Sequence, residues 1–246
     1  MNRRYIIDFK VANIPCRLII DDKLLFDYFK KNYWSVNNQK ICKVLIDVKG
    51  KDNLYQISIK SVKLNIKVDM KKKNLLFKDV DWIVRTMIQY SLLKFKVVFL
   101  HSSAAIFGNK VFIFLGESGK GKSTIIRNFD NNIVGDDIII LRKQASSFYV
   151  YQSPFEKLRV QIKKTLVKTK IGGLFVLYWG IKLEKKPIEP QKIVSLLLSD
   201  NYMPRLPKVS SNLYTELILD LIRKSNIVKL IFPKRFDKKD FLINYE

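Results

Sequence analysis

The sequence predicts a mixed α/β chain, α+β overall, with a small β-rich N-terminal domain over 1–80 and a phosphate-loop core over 81–246. Three observations predict it. Polar and apolar residues alternate through most of the first 70 positions, as in half-buried strands. The stretch "GESGKGKST" at 116–124 stands between an apolar strand pattern and a helix pattern. Beyond it, strand-like runs give way to two segments with helical spacing.

In the N-terminal part, "RRYIIDFK" and "IPCRLIID" read as strands, and "DDKLLFDYFKKNY" as a helix with acidic residues in its first turn. "ICKVLIDVKG", "NLYQISIK" and "VKLNIKVDM" alternate as strands, with "KGKDN" at 49–53 as a turn. "DVDWIVRTMIQYSLLKFK", 79–96, has an apolar stripe and an acidic first turn, and reads as a hinge helix between the domains. "VVFLHSSAAIFG" and "NKVFIFL" are strands joined by a Gly-Asn turn, and "KSTIIRNF" is the next helix. "NIVGDDIIILR" is a strand pair broken at Gly-Asp-Asp; "SFYVYQ" and "GGLFVLYWG" are further strands. "EPQKIVSLLLSD" and "VSSNLYTELILDLIRKS" are helices, "IVKLIF" is a strand, and "KKDFLINYE" is a short closing helix.

Composition narrows the function. Hydrophobic residues make up 48% of the 246, enough for a real core. Lys and Arg number 46 against 22 Asp and Glu, a net charge of +24. Such an excess repels itself in a compact state and suits a polyanionic partner, although a lysine-rich proteome would produce it too. Over 1–85 there are 19 basic and nine acidic residues. Cys16 and Cys42 are too few for a disulfide framework or metal cluster and read as small hydrophobes in a reducing compartment. The N-terminus lacks the apolar run of a signal peptide, and no 18-residue apolar stretch offers a membrane span, so a cytoplasmic protein without membrane contact is expected.

The loop at 116–124 fits G-x-x-x-x-G-K-[ST]. Its backbone N–H groups, from Gly116 through Ser118, Gly119, Lys120 and Gly121 to Thr124, would cradle phosphate oxygens at a helix N-terminus. Lys122 would reach the β- and γ-phosphates of ATP, and Ser123 would ligate Mg²⁺. Asp136 and Asp137 follow Lys122 by 14 and 15 residues, one helix later. One carboxylate would serve Mg²⁺ and the other would accept a proton from an attacking hydroxyl. His101, the only histidine, closes the strand run before the loop strand; it is expected to neighbour that strand and to face the transferring phosphate.

The ordered set "LHSSAA", "VFIFLGESGKGKST" and "VGDDIIIL" resembles the catalytic domain of HPr kinase/phosphorylase and its relatives, whose nucleotide core is shared with phosphoenolpyruvate carboxykinases. "YQSPFEKL" resembles a Pro-Phe segment of the same family, and the resemblance covers about 97–200. It implies an HPr-kinase/PEP-carboxykinase-like phosphate-loop kinase core, with Lys122 and Ser123 on phosphate and Mg²⁺. It further implies His101 assisting transfer and Asp136 and Asp137 dividing the base and metal roles, Asp137 among the metal ligands. The chain departs from the family where Ser102 follows the histidine in place of Gly. The family's later Gly-rich signature with Glu and Arg also has no counterpart, which puts HPr handling and the reverse reaction in doubt.

The acceptor is read from charge. "KLRVQIKKTLVKTK" follows the core directly and carries Lys157, Arg159, Lys163, Lys164, Lys168 and Lys170, a pattern that neutralises a phosphate backbone. "KKK" at 71–73 and "PKRFDKK" at 233–239 add to it. An RNA acceptor would offer a ribose 2′-hydroxyl. With an Ile/Lys/Tyr bias suggesting a thermophilic archaeon, the chain resembles archaeal RNA kinases that phosphorylate a tRNA ribose 2′-hydroxyl. The alternative is an HPr-kinase-like protein or peptide serine kinase; a small-molecule kinase and a nucleotide-dependent RNA-binding switch remain behind it.

Overall fold

The structure is a computed structural model; it describes residues 4–36, 42–51, 54–59, 64–69, 76–117, 119–155, 168–199, 208–235 and 241. The expected closing helix lies outside these residues except for Phe241.

The N-terminal strands form a five-stranded sheet in the order β1 (Tyr5–Val11), β2 (Ile14–Ile20), β3 (Val44–Lys51), β4 (Leu54–Ile59), β5 (Leu64–Asp69). β1 and β2 pair antiparallel through a two-residue turn in which Ala12 and Asn13 have φ of 50° and 64°. Positive φ at both positions matches the right-handed twist of a hairpin. β2 and β3 are parallel, which requires a crossover, and α1 (Lys23–Asn32) supplies it. The helix begins one residue later than the acidic pair: Asp22 is its N-cap, accepting from the Leu25 amide at 2.9 Å, so its first turn holds no acid.

α2 (Phe77–Leu92) buries Val80, Val84, Met87, Ile88 and Leu92 along one stripe. Its start is fixed by the Leu76 amide donating to the Asp79 carboxylate at 2.7 Å. The stripe belongs to a hydrophobic cluster that joins the first sheet to Val97 and Phe99 of β6 (Val97–His101) and to Ile138 and Ile140 of β10 (Ile138–Gln144). The hairpin turn is tied to the same strand, since Arg142 donates to the Ala12 carbonyl at 2.9 Å. The helix read as a hinge is therefore packed between the two parts of one core.

The second sheet runs β6–β10–β11–β12–β8–β7–β9, with β7 (Ser103–Phe107), β8 (Lys110–Leu115), β9 (Ile133–Gly135), β11 (Ser147–Tyr151) and β12 (Thr169–Trp179). β14 (Ile227–Phe232) joins β12 in parallel, and β13 (Glu184–Lys186), unforeseen in the sequence, pairs with β14. The single strand expected at "VVFLHSSAAIFG" is broken at Ser102 into β6 and β7, which take different partners. β6 pairs with β10 while β7 pairs with β8 and β9, so the ends of the strand order are joined through the chain itself. Alternate residues of β8 and β12 face two cores. Val111, Ile113, Leu174 and Val176 meet α4 (Pro190–Ser199) and α5 (Lys208–Lys224). Phe112, Phe114, Phe175 and Leu177 meet Ile125, Ile126 and Phe129.

Candidate functional site

β8 ends at Leu115 and the chain turns through the glycine loop into α3 (Lys122–Ile126). Gly119 and Gly121 adopt φ of 81° and 90°, which an L side chain resists. The Lys120 amide closes a turn on the Glu117 carbonyl at 3.2 Å, and the Ile125 amide donates to Gly121 at 2.9 Å to start the helix. Ser118 lies outside the described residues. α3 is shorter than the expected 122–129 and passes into a 3₁₀ turn over Arg127–Asn132. The Asn128 side-chain amide donates to the Thr124 and Ile125 carbonyls at 3.1 and 3.3 Å, satisfying groups that a longer helix would use.

Lys122 is buried, 8% exposed, and its Nζ donates to the Gly116 and Glu117 carbonyls at 2.5 and 3.2 Å. A buried ammonium held at the mouth of its own loop is placed to exchange those carbonyls for phosphate oxygens. Ser123 and Thr124 are half-buried on the first turn of α3.

The expectation that His101 neighbours the loop strand needs correction. His101 ends β6, which pairs with β10, while β8 is flanked by β7 and β12. The break at Ser102 brings it in. Its counterpart is the interruption at Asp136 and Asp137 between β9 and β10, and the two breaks lie opposite each other, with the Ser102 amide donating to the Asp137 carbonyl at 3.2 Å. His101 Nδ1 lies 3.2 Å from Asp137 Oδ1, an ion pair when the imidazole is protonated. Two residues on from His101, the buried Ser103 donates its hydroxyl to the Lys122 carbonyl at 3.2 Å and ties β7 to α3. His101, Asp136, Asp137 and the loop thus meet where two strands break beside a third that ends.

Two contributors escaped the sequence reading. Trp179, at the end of β12, donates its indole N–H to the Gly119 carbonyl at 3.2 Å and packs on Phe232 with centroids 4.7 Å apart. A Cβ on Gly121 would sit 2.7 Å from Trp179 and 2.8 Å from Phe232, so the glycine is required by contact as well as by φ. Ser103 is the second. A tryptophan in an apolar strand and a serine in a small-residue run carry no local signal of such contacts.

Lys157, Arg159, Lys163 and Lys164 lie outside the described residues, as does "KKK" at 71–73. Lys168 and Lys170 are described, at the start of β12, with Lys168 Nζ 4.8 Å from the Tyr149 ring centroid. The loop meets the other end of β12, where a Cβ on Gly116 would lie 3.6 Å from Leu177. Lys170 pairs with Lys110 and Val176 with Leu115 across a bulge, so Lys170 stands about six strand steps from Leu177, roughly 20 Å at 3.3 Å each. The two described lysines are therefore a strand's length from the loop and not beside it. The Pro-Phe segment packs on the N-terminal part: Trp34 donates to the Pro154 carbonyl at 2.8 Å, and Phe155 meets Phe9, Tyr33 and Phe99 edge-on or tilted. Behind it, Arg85 makes two hydrogen bonds to Asp81 at 2.9 and 2.5 Å, and Tyr33 donates to the same carboxylate at 2.6 Å.

The donor set suits a hard cation held jointly with phosphate: one hydroxyl on the loop helix and two carboxylates at the break between β9 and β10, without thiolate or clustered imidazole. Among the described residues no group of three His, Cys, Asp or Glu could hold a metal alone. Mg²⁺ needs only one or two protein ligands beside substrate phosphates, so Ser123 with Asp136 or Asp137 fits it. No described helix is long and apolar enough to cross a membrane.

No protein-family profile matches the chain, and no curated protein matches it. Among solved structures it is similar to the HPr(Ser) kinase/phosphatase of Coxiella burnetii, at 16% identity and a TM-score of 0.30, over 59% of this chain and 90% of that one.

Proposed function

We propose that the protein is an ATP-dependent kinase with an alcohol acceptor, and that the acceptor is a ribose 2′-hydroxyl of tRNA. One observation carries the kinase reading: the glycine loop, His101, Asp136 and Asp137 converge through the Ser102–Asp137 and Ser103–Lys122 hydrogen bonds. In this reading the loop N–H groups and Lys122 hold the triphosphate. Asp136 or Asp137 takes the proton of the acceptor hydroxyl as its oxygen bonds to the γ-phosphorus. The bond from the γ-phosphorus to the bridging oxygen breaks, and ADP leaves with that electron pair. His101, when protonated, places positive charge at the transferring group. Mg²⁺ supplies charge neutralisation on the phosphates when bound.

The RNA acceptor is supported by the net charge of +24. A serine of a protein or peptide is the second reading, favoured by the same carboxylate pair, which does not distinguish one alcohol from another.

The test is incubation with γ-labelled ATP, Mg²⁺ and total tRNA, with a protein lysate in parallel. Label in tRNA at an alkali-resistant internucleotide position is expected. Label confined to protein overturns the RNA acceptor and leaves the kinase. Lys122→Ala should lower transfer about 10²- to 10³-fold, the scale of losing one preorganised electrostatic group; undiminished transfer would sink the loop assignment.

A further inference from the structure

The lysines at the start of β12 have company. Lys110 opens β8 and stands level with Lys170 in the parallel register of the two strands. The end of α5 joins them: Lys224 and Ser225 line a hollow of about 320 Å³ together with Lys170, Ser146 and Ser147. Lys143, near the end of β10, and Lys224 share the Asp220 carboxylate at 2.7 and 2.9 Å. The Lys143 amide donates to the Lys96 carbonyl at 2.9 Å, which brings Lys96 to the same place. We propose that this hollow and the lysines around it form a docking surface for the phosphate backbone of RNA. It rests on the RNA-acceptor reading and adds to it where the RNA is held.

The donor set is that of an oxyanion seat. Two ammonium groups and three serine hydroxyls can donate to phosphate oxygens, and no carboxylate of the described residues lines the hollow. Asp220, at its edge, is shared between Lys143 and Lys224, so two ammonium groups against one carboxylate leave positive charge in surplus. Lys110 and Lys170 lie on neighbouring strands, about 4.8 Å apart in the pairing direction. Like charges so placed repel, and a polyanion relieves them.

The arrangement fits an RNA strand better than other anions. One phosphate suits the hollow, while Lys96, Lys110 and Lys168 lie beyond it and call for further phosphates, which a nucleic acid supplies at regular spacing. Surface-bound membrane proteins add apolar side chains that insert. None of the described exposed large hydrophobic residues, such as Trp82 or Ile181, lines the hollow. β8 and β12 run in parallel from this surface toward the glycine loop, so docking and phosphoryl transfer occupy different ends of one strand pair.

The test measures binding of total tRNA over a series of salt concentrations, with calorimetry of ATP to monitor the loop. Lys170 and Lys224 are both exposed, so charge reversal there is compatible with the fold. Lys170→Glu with Lys224→Glu should weaken tRNA about tenfold or more, lower the salt slope by about one to two, and leave ATP binding unchanged. In turnover the KM for tRNA should rise with kcat unchanged, as when uniform binding is lost. Lys110→Gln with Lys170→Gln leaves both Asp220 pairs in place and should weaken tRNA about threefold. Lys10→Glu with Lys31→Glu makes the same charge change on exposed lysines of the N-terminal part and should keep tRNA affinity within about twofold. Unchanged tRNA binding in the folded Lys170 and Lys224 variant overturns the proposal. So does an equal loss in the Lys10 and Lys31 variant, which assigns the effect to net charge alone. Weakened binding to phosphatidylserine vesicles with tRNA binding unchanged makes the surface a membrane contact and overturns it too. The acceptor reading fails separately: a parent that binds tRNA through this surface yet labels only protein keeps the docking site and removes the tRNA 2′-hydroxyl as acceptor.

Discussion

Gly121→Ala is the substitution whose cost can be worked from the structure. Gly121 sits at φ 90°, ψ 21° as the residue before α3. Holding alanine in the left-handed region costs about 1–2 kcal/mol. The new methyl would lie 2.7 Å from Trp179 and 2.8 Å from Phe232. Trp179 is 41% exposed and has room to swing outward, whereas Phe232 is fully buried. Swinging the indole away forfeits its hydrogen bond to Gly119, about 0.5–1.5 kcal/mol. These two terms sum to about 1.5–3.5 kcal/mol of stability, the Phe232 contact adds to them, and ATP affinity should fall at least tenfold because the loop can no longer keep its N–H groups convergent. Urea unfolding gives the first quantity and calorimetry the second. The double variant Gly121→Ala/Trp179→Ala removes the tryptophan part of the clash and leaves the φ cost and the contact with Phe232, so the pair should couple by about 1 kcal/mol. A loss below about 0.5 kcal/mol for Gly121→Ala, or strict additivity with Trp179→Ala, refutes the steric account.

Arg85→Met should destabilise by about 3–5 kcal/mol in urea unfolding, because it strands the buried Asp81 carboxylate; Arg85→Met with Asp81→Asn should recover part of that loss. Ser103→Ala should cost about 1 kcal/mol and lower kcat more than it raises KM for ATP, since it loosens α3 from the strand break without touching the loop backbone. Partial burial pushes the Asp220 carboxyl up, but hydrogen bonds from Lys143 and Lys224 outweigh it and hold it below the ordinary carboxylate range. Its folded-state pKa is thus depressed: the contribution to stability is complete above the unfolded carboxyl's pKa and is lost as pH falls through the folded one. Asp220→Asn should flatten acid unfolding in that window, and an unchanged acid limb would refute the pairing.

Much of the chain could be read locally. The strands of the first sheet follow from alternation, α2 and α5 from their apolar stripes, and the loop from three glycines and a lysine between a strand and a helix. Each is a property of neighbouring residues, since side-chain direction repeats every two positions in a strand and every 3.6 in a helix. The boundaries of α1 and α3 moved where a side chain competes for backbone groups, as Asp22 and Asn128 do.

The site was legible as a set of residues but not as an arrangement. Lys122, Asp136, Asp137 and His101 announce themselves by type and order. What joins them is the break at Ser102, which a reading of 97–108 as one strand conceals because its cause is a choice of partners, β10 for one half and β8 with β9 for the other. Trp179 and Ser103 act on the loop across 60 and 19 positions, and Arg142 joins the hairpin turn to the core across 130. The sequence by itself determined most of the elements, the glycine loop and the charge. Only the tertiary structure decided which strand carries the histidine to the carboxylates, what clamps the glycines, and which lysines gather around the start of β12. The physical reason is that strand pairing and side-chain contact depend on distance in space, which a period along the chain does not encode.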